Sequence, residues 1–286
     1  VILSGKPAYT GDFVPKDALI IKVLRSPHAQ AKIKSIDTSK AKLIPGVEAI
    51  FTYEDVPNTR FTLAGQTYPE PSAYDALILD SVVRYVGDEV ALVVAKDEAT
   101  ALKAMPLIKV EYEVQKPVLD LRTAMDHETV VHPEDDILNH IPVGQDYKRN
   151  ICVSYHKRVG DIEAELAKCD YVVEGTYFDQ ATRQSAMEPF QSFGYIDHLG
   201  RIVIVSSTQI VFHVRRHIAR ALGIPASKIR VIKPRIGGGF GSKQTACTEL
   251  MTAFVTWKLQ KPCYLLYDRT EAQTCSTTRH AREWYI

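Results

Sequence analysis

A glycine-rich stretch, RIGGGFGSKQ, occupies residues 235–244 and is the part of the sequence best suited to chemistry. It follows an apolar segment, KIRVIK, and precedes a segment with helical periodicity. Free backbone N–H groups in a loop between a strand and a helix can bind an anion, and glycines let a ligand approach the backbone closely. The stretch therefore predicts a loop whose backbone contacts a ligand.

This stretch does not match the two common phosphate-binding patterns. The dinucleotide pattern GxGxxG, counted from Gly237 and Gly239, requires a third glycine where Ser242 stands. The pattern GxxxxGK[ST] requires glycine before Lys243 and Ser or Thr after it, where the chain has Ser242 and Gln244. Neither a nicotinamide-binding fold nor an ATPase is supported.

Phe240 bears on the choice between a ligand site and a plain turn. A glycine run can also be a tight turn that only lets a strand and a helix pack closely. A large apolar ring in the middle of a loop is costly to expose unless it is buried or forms the wall of a ligand site. Phe240 therefore favours a ligand site.

Short segments rich in β-branched residues predict strands in the first part of the chain. Between the predicted strands Glu89–Val94 and Ile108–Val114, residues 96–105 carry apolar side chains at helical spacing. Asp97, at the start of this segment, is expected to be the N-cap of a helix. Mixed strands and helices predict an α+β unit. The predicted strands are Leu19–Val23, Val47–Phe51, Glu89–Val94 and Ile108–Val114.

A second unit is predicted beyond residues 119–148, which are polar, contain Pro and His, show little periodicity and are typical of a linker. Strands are expected in DYVVEGTY, GYID, GRIVIVSS, KIRVIK and CYLLYD, with a helix near residues 210–222 and another after Gln244. Apolar stripes on both helices predict core packing. The stripes are Val211, Val214, Ile218 and Ala221, and Leu250, Ala253, Phe254 and Trp257.

Composition excludes several classes of protein. Lys and Arg number 35 and Asp and Glu 34, so the net charge of +1 gives no field to attract nucleic acid or an anionic membrane. No apolar run approaches the ~18 residues of a membrane span. Five cysteines without a CxxC pair predict neither a disulfide framework nor a zinc or iron–sulfur site, and favour a cytoplasmic location. The missing initial Met and the abrupt end predict a longer polypeptide.

Residues 206–244 resemble the first molybdopterin-binding domain of the xanthine oxidase family of molybdenum hydroxylases. The resemblance rests on a Ser-Thr-Gln turn, a helix ending in Leu-Gly, a strand and a GGGFGxK loop, in this order. The segments GDIEAELAKCDYVVEGTY, SAMEPF and DRTEAQTCSTTRHA resemble further signatures of the family. Its α/β hammerhead domain is similar to GKPAYTGDF, RSPHAQAKIKSID, IPGVEAIF and VRYVGDEVALVVAKDEATALKA.

The resemblance implies an α/β hammerhead domain over residues 1–118, a linker over 119–148, and the first molybdopterin-binding domain over 149–286, truncated at its C-terminal side. It also implies hydroxylation of a purine such as xanthine or hypoxanthine, or of a related N-heteroaromatic compound, with oxygen derived from water. Two alternatives stay open: a non-catalytic assembly module of such a complex, and an aldehyde oxidase.

Cofactors and partners are implied in the same way. The cofactor is molybdopterin, with the cytosine dinucleotide form as one option, and electrons pass to 2Fe–2S clusters and FAD on partner domains or subunits. The partners are a C-terminal molybdopterin domain or a second molybdenum subunit, an iron–sulfur subunit and an FAD subunit. Neither nucleic acid nor a membrane is expected as a partner.

The resemblance also assigns the cofactor-binding residues. Gln209 corresponds to the glutamine whose side-chain amide hydrogen-bonds the apical oxo ligand of molybdenum, and a helix cap is the alternative role. Gly238, Gly239, Phe240 and Gly241 form the loop that approaches the cofactor. Gln209 and Phe240 thus contact ligands of the metal, and we expect Phe240 to keep the pocket dry.

Gln244 stands where purine-oxidising animal relatives carry a glutamate, so the resemblance implies a contact with the substrate. No catalytic residue is implied in this chain, because the family's general base is a glutamate of a later domain. Glu188, between Met187 and Pro189, is the alternative base, and we expect it to be a buried carboxylate that fixes backbone groups.

Two groups of side chains on or near the predicted helices are assigned no function. The histidines have no paired acidic or Cys partner at metal spacing, so we expect no metal bound by protein ligands. The arginines are expected on a solvated helix face, and a contact of one of them with a partner subunit is the alternative. These residues are His213, His217 and His280, and Arg215, Arg216 and Arg220.

Overall fold

Strands and helices follow one another along the whole chain, which the computed structural model describes over residues 2–64 and 67–286. The first elements are β1 Leu19–Arg25, β2 Ala31–Asp37, α1 Ser39–Lys42, β3 Val47–Phe51, β4 Val82–Val83, β5 Glu89–Ala95, α2 Glu98–Ala104 and β6 Lys109–Val114. The later elements are α3 Ile162–Leu166, β7 Thr176–Asp179, β8 Gln191–Ile196, β9 Ile202–Ser206, α4 Val211–Leu222, β10 Ile229–Ile232, α5 Glu249–Leu259, β11 Cys263–Leu266, α6 Arg269–Thr274 and β12 Arg282–Tyr285.

A seven-stranded mixed sheet in the order β10-β9-β8-β11-β1-β5-β3 joins the two predicted units. The junction is a parallel pairing in which Leu19 of β1 lies opposite Cys263 of β11. The strands β4-β2-β6 and β12-β7 form two smaller sheets. The N-terminal unit and the second unit therefore contribute strands to one sheet.

Most of the predicted elements are confirmed. The four predicted strands of the N-terminal unit correspond to β1, β3, β5 and β6. Asp97 caps α2, since its side chain accepts a hydrogen bond of 2.7 Å from the Thr100 N–H. This bond satisfies one of the free donors of the first helical turn.

The strand predicted over DYVVEGTY is mostly wrong. Pairing begins only at Gly175, which exchanges backbone hydrogen bonds of 2.7 and 3.0 Å with Ile286, and it continues with Thr176 opposite Tyr285 of β12. The residues before Gly175 have no partner strand in the described part of the chain, and Val173 is 85% exposed. The apolar pattern was sufficient to predict a strand but could not show that a partner is lacking.

The two helices with predicted apolar stripes, α4 and α5, pack on the large sheet. Their inward side chains belong to the main hydrophobic cluster together with residues of β1, β5, β9 and β11. Full burial of a Val, Leu, Ile or Phe side chain stabilises the fold by roughly 1.5–3 kcal/mol. The buried stripe residues are Val214, Ile218, Ala221, Leu250, Ala253 and Phe254.

Two of the three arginines of α4 attach this helix to the N-terminal unit, so the predicted solvated face is in part an internal contact surface. Arg216 Nη2 donates to Glu70 Oε1 at 2.7 Å, and Glu70 is buried. Arg220 Nε donates to the carbonyl of Arg60 at 2.7 Å. Spacing along a helix cannot show which distant segment covers it.

Candidate functional site at the ends of two parallel strands

The predicted site residues follow two neighbouring strands. β9 and β10 are parallel, with Ser206 at the end of the first and Ile232 at the end of the second. Parallel strands end at the same edge of a sheet, and ligands commonly bind in the crevice outside that edge. Gln209 and residues 237–241 therefore reach the same edge, and the strand predicted to end near residue 233 is confirmed.

Gln209 lies directly against the glycine loop. A methyl group added to Gly239 would lie 2.5 Å from Gln209 Oε1 and 2.7 Å from its Cδ. The Gln209 N–H also donates to the carbonyl of Lys243 at 2.9 Å. The predicted proximity of Gln209 to the loop is confirmed, and glycine at 239 is required by this close approach.

The loop has an unusual backbone conformation. Gly238 and Gly241 have φ values of +101° and +89°, in the region that favours glycine. Phe240 has φ +51°, which is uncommon for a bulky residue, and its side chain is 64% exposed. Strained residues of this kind cluster at ligand sites. The loop therefore exposes the ring of Phe240 between Gly238 and Gly241, whose positive φ values favour glycine.

Glu188 holds the beginning of the loop. Its Oε2 accepts hydrogen bonds from the Gly237 N–H at 2.6 Å and from Lys243 Nζ at 3.0 Å. Its Oε1 accepts a hydrogen bond from Gln191 Nε2 at 2.7 Å. The expected role of Glu188, a carboxylate that fixes backbone groups, is confirmed. Its partner Lys243 was missed as a functional residue, although the family pattern GGGFGxK contains it.

Two arginines of the segment DRTEAQTCSTTRHA support the residues around the loop. Arg269 donates to the carbonyls of Ala186 at 2.8 Å and Met187 at 2.6 Å. Arg279 Nη2 donates to the carbonyl of Phe240 at 3.3 Å. The motif segments, which are separate in the sequence, thus meet around the glycine loop, and guanidinium donors fix their carbonyl groups.

The helix predicted after the loop begins later than the anion-binding interpretation requires. A 3-10 turn, Ser242–Gln244, follows Gly241, and α5 begins at Glu249. The carboxylate of Glu249 accepts the N–H of Cys247 at 2.9 Å, and burial raises its pKa. The N–H groups of the glycine loop are therefore not those of the helix N-terminus, and the loop offers its own backbone.

Gln244 lies beside the loop in the 3-10 turn. Its N–H donates to the carbonyl of Gly241 at 3.2 Å, and its side chain is half-buried. A methyl group added to Gly241 would lie 4.0 Å from Gln244 Oε1. The side chain of Gln244 is thus near the face of the loop that carries Gly241.

Two of the histidines have an acidic neighbour after all. Glu70 Oε1 lies 3.8 Å from His213 Nδ1 and 3.9 Å from His217 Nε2. Desolvation lowers the pKa of His217 to about 4, so this ring is neutral at pH 7. Within residues 2–64 and 67–286, no group of three or more His, Cys, Asp or Glu side chains could hold a metal ion. Over the same residues, no helix is long and apolar enough to cross a bilayer.

Two family comparisons cover nearly the whole chain. Residues 143–286 match the family described as "Molybdopterin cofactor-binding domain". The chain belongs to this family. Residues 4–116 match "Aldehyde oxidase and xanthine dehydrogenase, a/b hammerhead domain". These matches confirm the resemblance and the predicted α+β fold with a hammerhead domain.

Curated relatives of this molybdopterin-binding chain are larger proteins. It is 39% identical to the "probable hypoxanthine oxidase" of Escherichia coli (strain K12), over 98% of this chain and 32% of that protein. It is 31% identical to the "nicotinate dehydrogenase large molybdopterin subunit" of Eubacterium barkeri, over 96% of this chain and 60% of that one. The chain thus spans about a third of the first relative.

Solved structures show the same fold. The aldehyde oxidoreductase of Desulfovibrio gigas superimposes with a TM-score of 0.80 at 25% identity, over 96% of this chain and 30% of that one. The quinoline 2-oxidoreductase of Pseudomonas putida 86 gives a TM-score of 0.79 at 29% identity, over 95% of this chain and 34% of that one.

The site residues fit a molybdenum cofactor bound at the loop. Gln209 Oε1 is buried and has no hydrogen-bond partner among the described residues. A buried polar atom without a partner is costly, and a ligand at the loop would supply one. The terminal torsion of a glutamine is soft, so the amide can present either its N–H donors or its oxygen. The close contact with Gly239 leaves no room for a side chain in front of it.

Proposed function

We propose that this chain holds one face of the active site of a molybdenum hydroxylase that acts on a purine or a related N-heteroaromatic compound. The observation that carries the proposal is the contact between the Gln209 amide and Gly239 in a loop of the GGGFG type. When bound, the molybdenum cofactor supplies the two-electron oxidation that joins an oxygen atom from water to a ring carbon.

The residues of this chain bind and orient the cofactor. Gln209 presents a neutral amide donor, which stabilises an oxygen ligand without competing for the metal. Gly238, Gly239 and Gly241 let the backbone approach, and the N–H groups near Phe240 add donors in fixed positions. The exposed ring of Phe240 excludes water when a partner closes the site, which strengthens each polar contact inside it.

Substrate recognition is assigned to Gln244. Its amide can donate to and accept from a heterocyclic ring, which suits a purine or a pyridine ring better than an aldehyde. Glu188 does not serve as the general base, because both of its oxygens already accept hydrogen bonds from Gly237, Lys243 and Gln191. The base is therefore contributed from outside this chain segment.

The remaining parts of the reaction are supplied by partners. We assign electron transfer to 2Fe–2S clusters and FAD, and the second face of the cofactor site to a further molybdopterin domain or subunit, in a cytoplasmic complex. Relatives described as a molybdenum-binding subunit and as a large molybdopterin subunit support this division. The proposed cofactor is molybdopterin, with the cytosine dinucleotide form as one option.

The test uses the full polypeptide purified with its electron-transfer partners. Molybdenum is measured by mass spectrometry, and anaerobic reduction is followed with hypoxanthine, xanthine, nicotinate and benzaldehyde. We expect about one molybdenum per molybdenum subunit and fastest reduction by a heteroaromatic compound. Reduction by benzaldehyde alone would show an aldehyde oxidase, and a complex without molybdenum would show an assembly module. Either result contradicts the proposal.

A further inference from the structure

A buried ion pair lies beneath the glycine loop. Lys243 Nζ is 3.0 Å from Glu188 Oε2, and the two side chains are only 1% and 9% exposed. Removing two charges from water has a large desolvation cost, so such a pair is weak evidence for stability alone. The retention of two buried charges at this place calls for a role in the geometry of the site.

The acidic partner fixes the entrance of the loop. The Gly237 N–H donates to Glu188 Oε2 at 2.6 Å, and the Glu188 N–H donates to the carbonyl of Gly237 at 3.0 Å. A methyl group added to Gly237 would lie 2.7 Å from the Cβ of Glu188. Residues 188 and 237 are therefore held together by two hydrogen bonds and by direct packing.

The basic partner fixes the other side of the site. The carbonyl of Lys243 accepts hydrogen bonds from the Gln209 N–H at 2.9 Å and from Thr208 Oγ1 at 3.4 Å. The same residue thus binds Glu188 through its side chain and the turn before α4 through its backbone. One continuous chain of contacts connects Gly237, Glu188, Lys243 and Gln209.

We infer that Glu188 and Lys243 form a positioning pair, which sets the distance between the Gln209 amide and the glycine loop. Each side chain or backbone group of the pair acts through the groups that it holds: Glu188 through the Gly237 N–H, and Lys243 through its own carbonyl. Desolvation lowers the pKa of Lys243, and the hydrogen bond from Lys243 to Glu188 opposes this shift. The activity part of the inference rests on the proposed function, whereas the geometric part does not.

The test is a set of variants in the full protein with its partners. Glu188→Gln keeps an oxygen for the Gly237 N–H but leaves Lys243 as an unpaired cation. Lys243→Met leaves Glu188 as an unpaired anion. The neutral double variant Glu188→Gln/Lys243→Met has no buried charge, whereas Glu188→Gln/Lys243→Arg retains one. The matched control is the exposed pair Glu48–Lys261, with Nζ and Oε1 2.6 Å apart, changed to Gln and Met.

We expect each single variant to lower kcat per bound molybdenum by about tenfold or more with little change in KM, because a lone buried charge distorts its surroundings. The neutral double variant should recover most of this loss, and the variant with Arg should not. The control pair should change neither value by more than about twofold. A general base at position 188 would not be rescued by the neutral double variant.

Hydrogen exchange measured by mass spectrometry provides a readout that needs no molybdenum. Each single variant should speed exchange in peptides covering residues 206–212 and 235–244 together, and the neutral double variant should restore both. Faster exchange in only one of the two segments, or equal behaviour of the two double variants, would overturn the inference. If the wild-type complex lacks molybdenum, the proposed function fails, and the exchange data still decide on the positioning pair.

Discussion

The turns after β9 and β10 reach the same edge of the sheet but offer different chemistry. The turn after β9 is short and tightly buried, with Ser207 3% and Thr208 0% exposed, and it presents one side chain, Gln209. The loop after β10 presents backbone, has two glycines with positive φ, and leaves the ring of Phe240 exposed. The turn after β9 thus depends on the side chain of Gln209, and the loop after β10 depends on having no side chain at its glycines.

This difference predicts how each turn responds to mutation. A side-chain donor can be deleted without moving the backbone around it, so its loss should affect the reaction more than the fold. In the glycine loop, a neighbouring residue lies so close to the backbone that an added Cβ atom would clash with it. The two turns meet at Gly239, so a change there should act through Gln209.

The largest effect is expected for Gln209→Ala in the complete enzyme. Loss of one preorganised donor that contacts developing charge typically costs ~2.7–4 kcal/mol of transition-state stabilisation, or about 10²–10³ in rate. Stopped-flow reduction by substrate and molybdenum analysis measure the two quantities separately. We expect a slow reduction step at a near-normal molybdenum content.

The control for this variant is Gln115→Ala, which removes another half-buried glutamine, at the end of β6 in the N-terminal unit. It should leave the rate of reduction unchanged. An unaltered rate in Gln209→Ala would show that this glutamine only shapes the turn before α4.

A smaller loss is expected for Gly239→Ala. The new methyl group would lie 2.5 Å from Gln209 Oε1, and the glutamine side chain is flexible enough to move away. A displacement of about 1 Å in a positioned group can cost up to ~10²-fold in rate. Because the loss acts through Gln209, the double variant with Gln209→Ala should be no slower than Gln209→Ala alone.

Gly200→Ala is the control for a glycine in open space. Its Cβ would meet no atom within 4 Å, although φ is +67°. It should lower the free energy of unfolding by ~1–2 kcal/mol without slowing substrate reduction. Strictly additive losses for Gly239→Ala and Gln209→Ala would indicate that the two residues act independently.

Sequence reasoning was strongest where the signal is local. The strands before the site, the start of α4 and the two buried stripes follow from periodicity, because the core selects residues at regular spacing. Gln209 and the glycine loop were found through an ordered motif. Their proximity could be predicted because the parallel strands β9 and β10 bring their carboxyl ends together.

The rest depends on contacts between distant residues, which leave no local pattern. Glu188 and Lys243 are separated by 55 positions, and neither segment shows that the two side chains form an ion pair. The pairing of Leu19 with Cys263 joins the two units across most of the chain, and neither strand shows which partner it takes. The contact of Arg216 in α4 was missed for the same reason, since its partner Glu70 lies far away in sequence.

The smallest effect is expected for Gln244→Glu, which tests whether the loop side of the site selects the substrate. Gln244 lies just beyond the loop, with Oε1 4.0 Å from the position of a Cβ on Gly241, and its backbone is fixed by the Gly241 carbonyl. A neutral hydrogen bond contributes roughly 0.5–1.5 kcal/mol, which corresponds to about 2- to 10-fold in kcat/KM. A carboxylate loses the N–H donors of the amide but accepts more strongly from a ring N–H.

The relative kcat/KM for hypoxanthine, xanthine, nicotinate and benzaldehyde should therefore change by about 2- to 10-fold in Gln244→Glu, in favour of rings that donate a proton to the carboxylate. Molybdenum content should stay normal, because the side chain selects the ring and does not anchor the metal. Gln115→Glu, which adds the same charge at the end of β6, should leave the order of the four substrates unchanged. A uniform change across all four compounds, or a loss of molybdenum, would return Gln244 to a purely structural role in the 3-10 turn. Only a selective change would show that the two turns have different roles, with Gln209 contacting the cofactor and Gln244, at the end of the glycine loop, contacting the substrate.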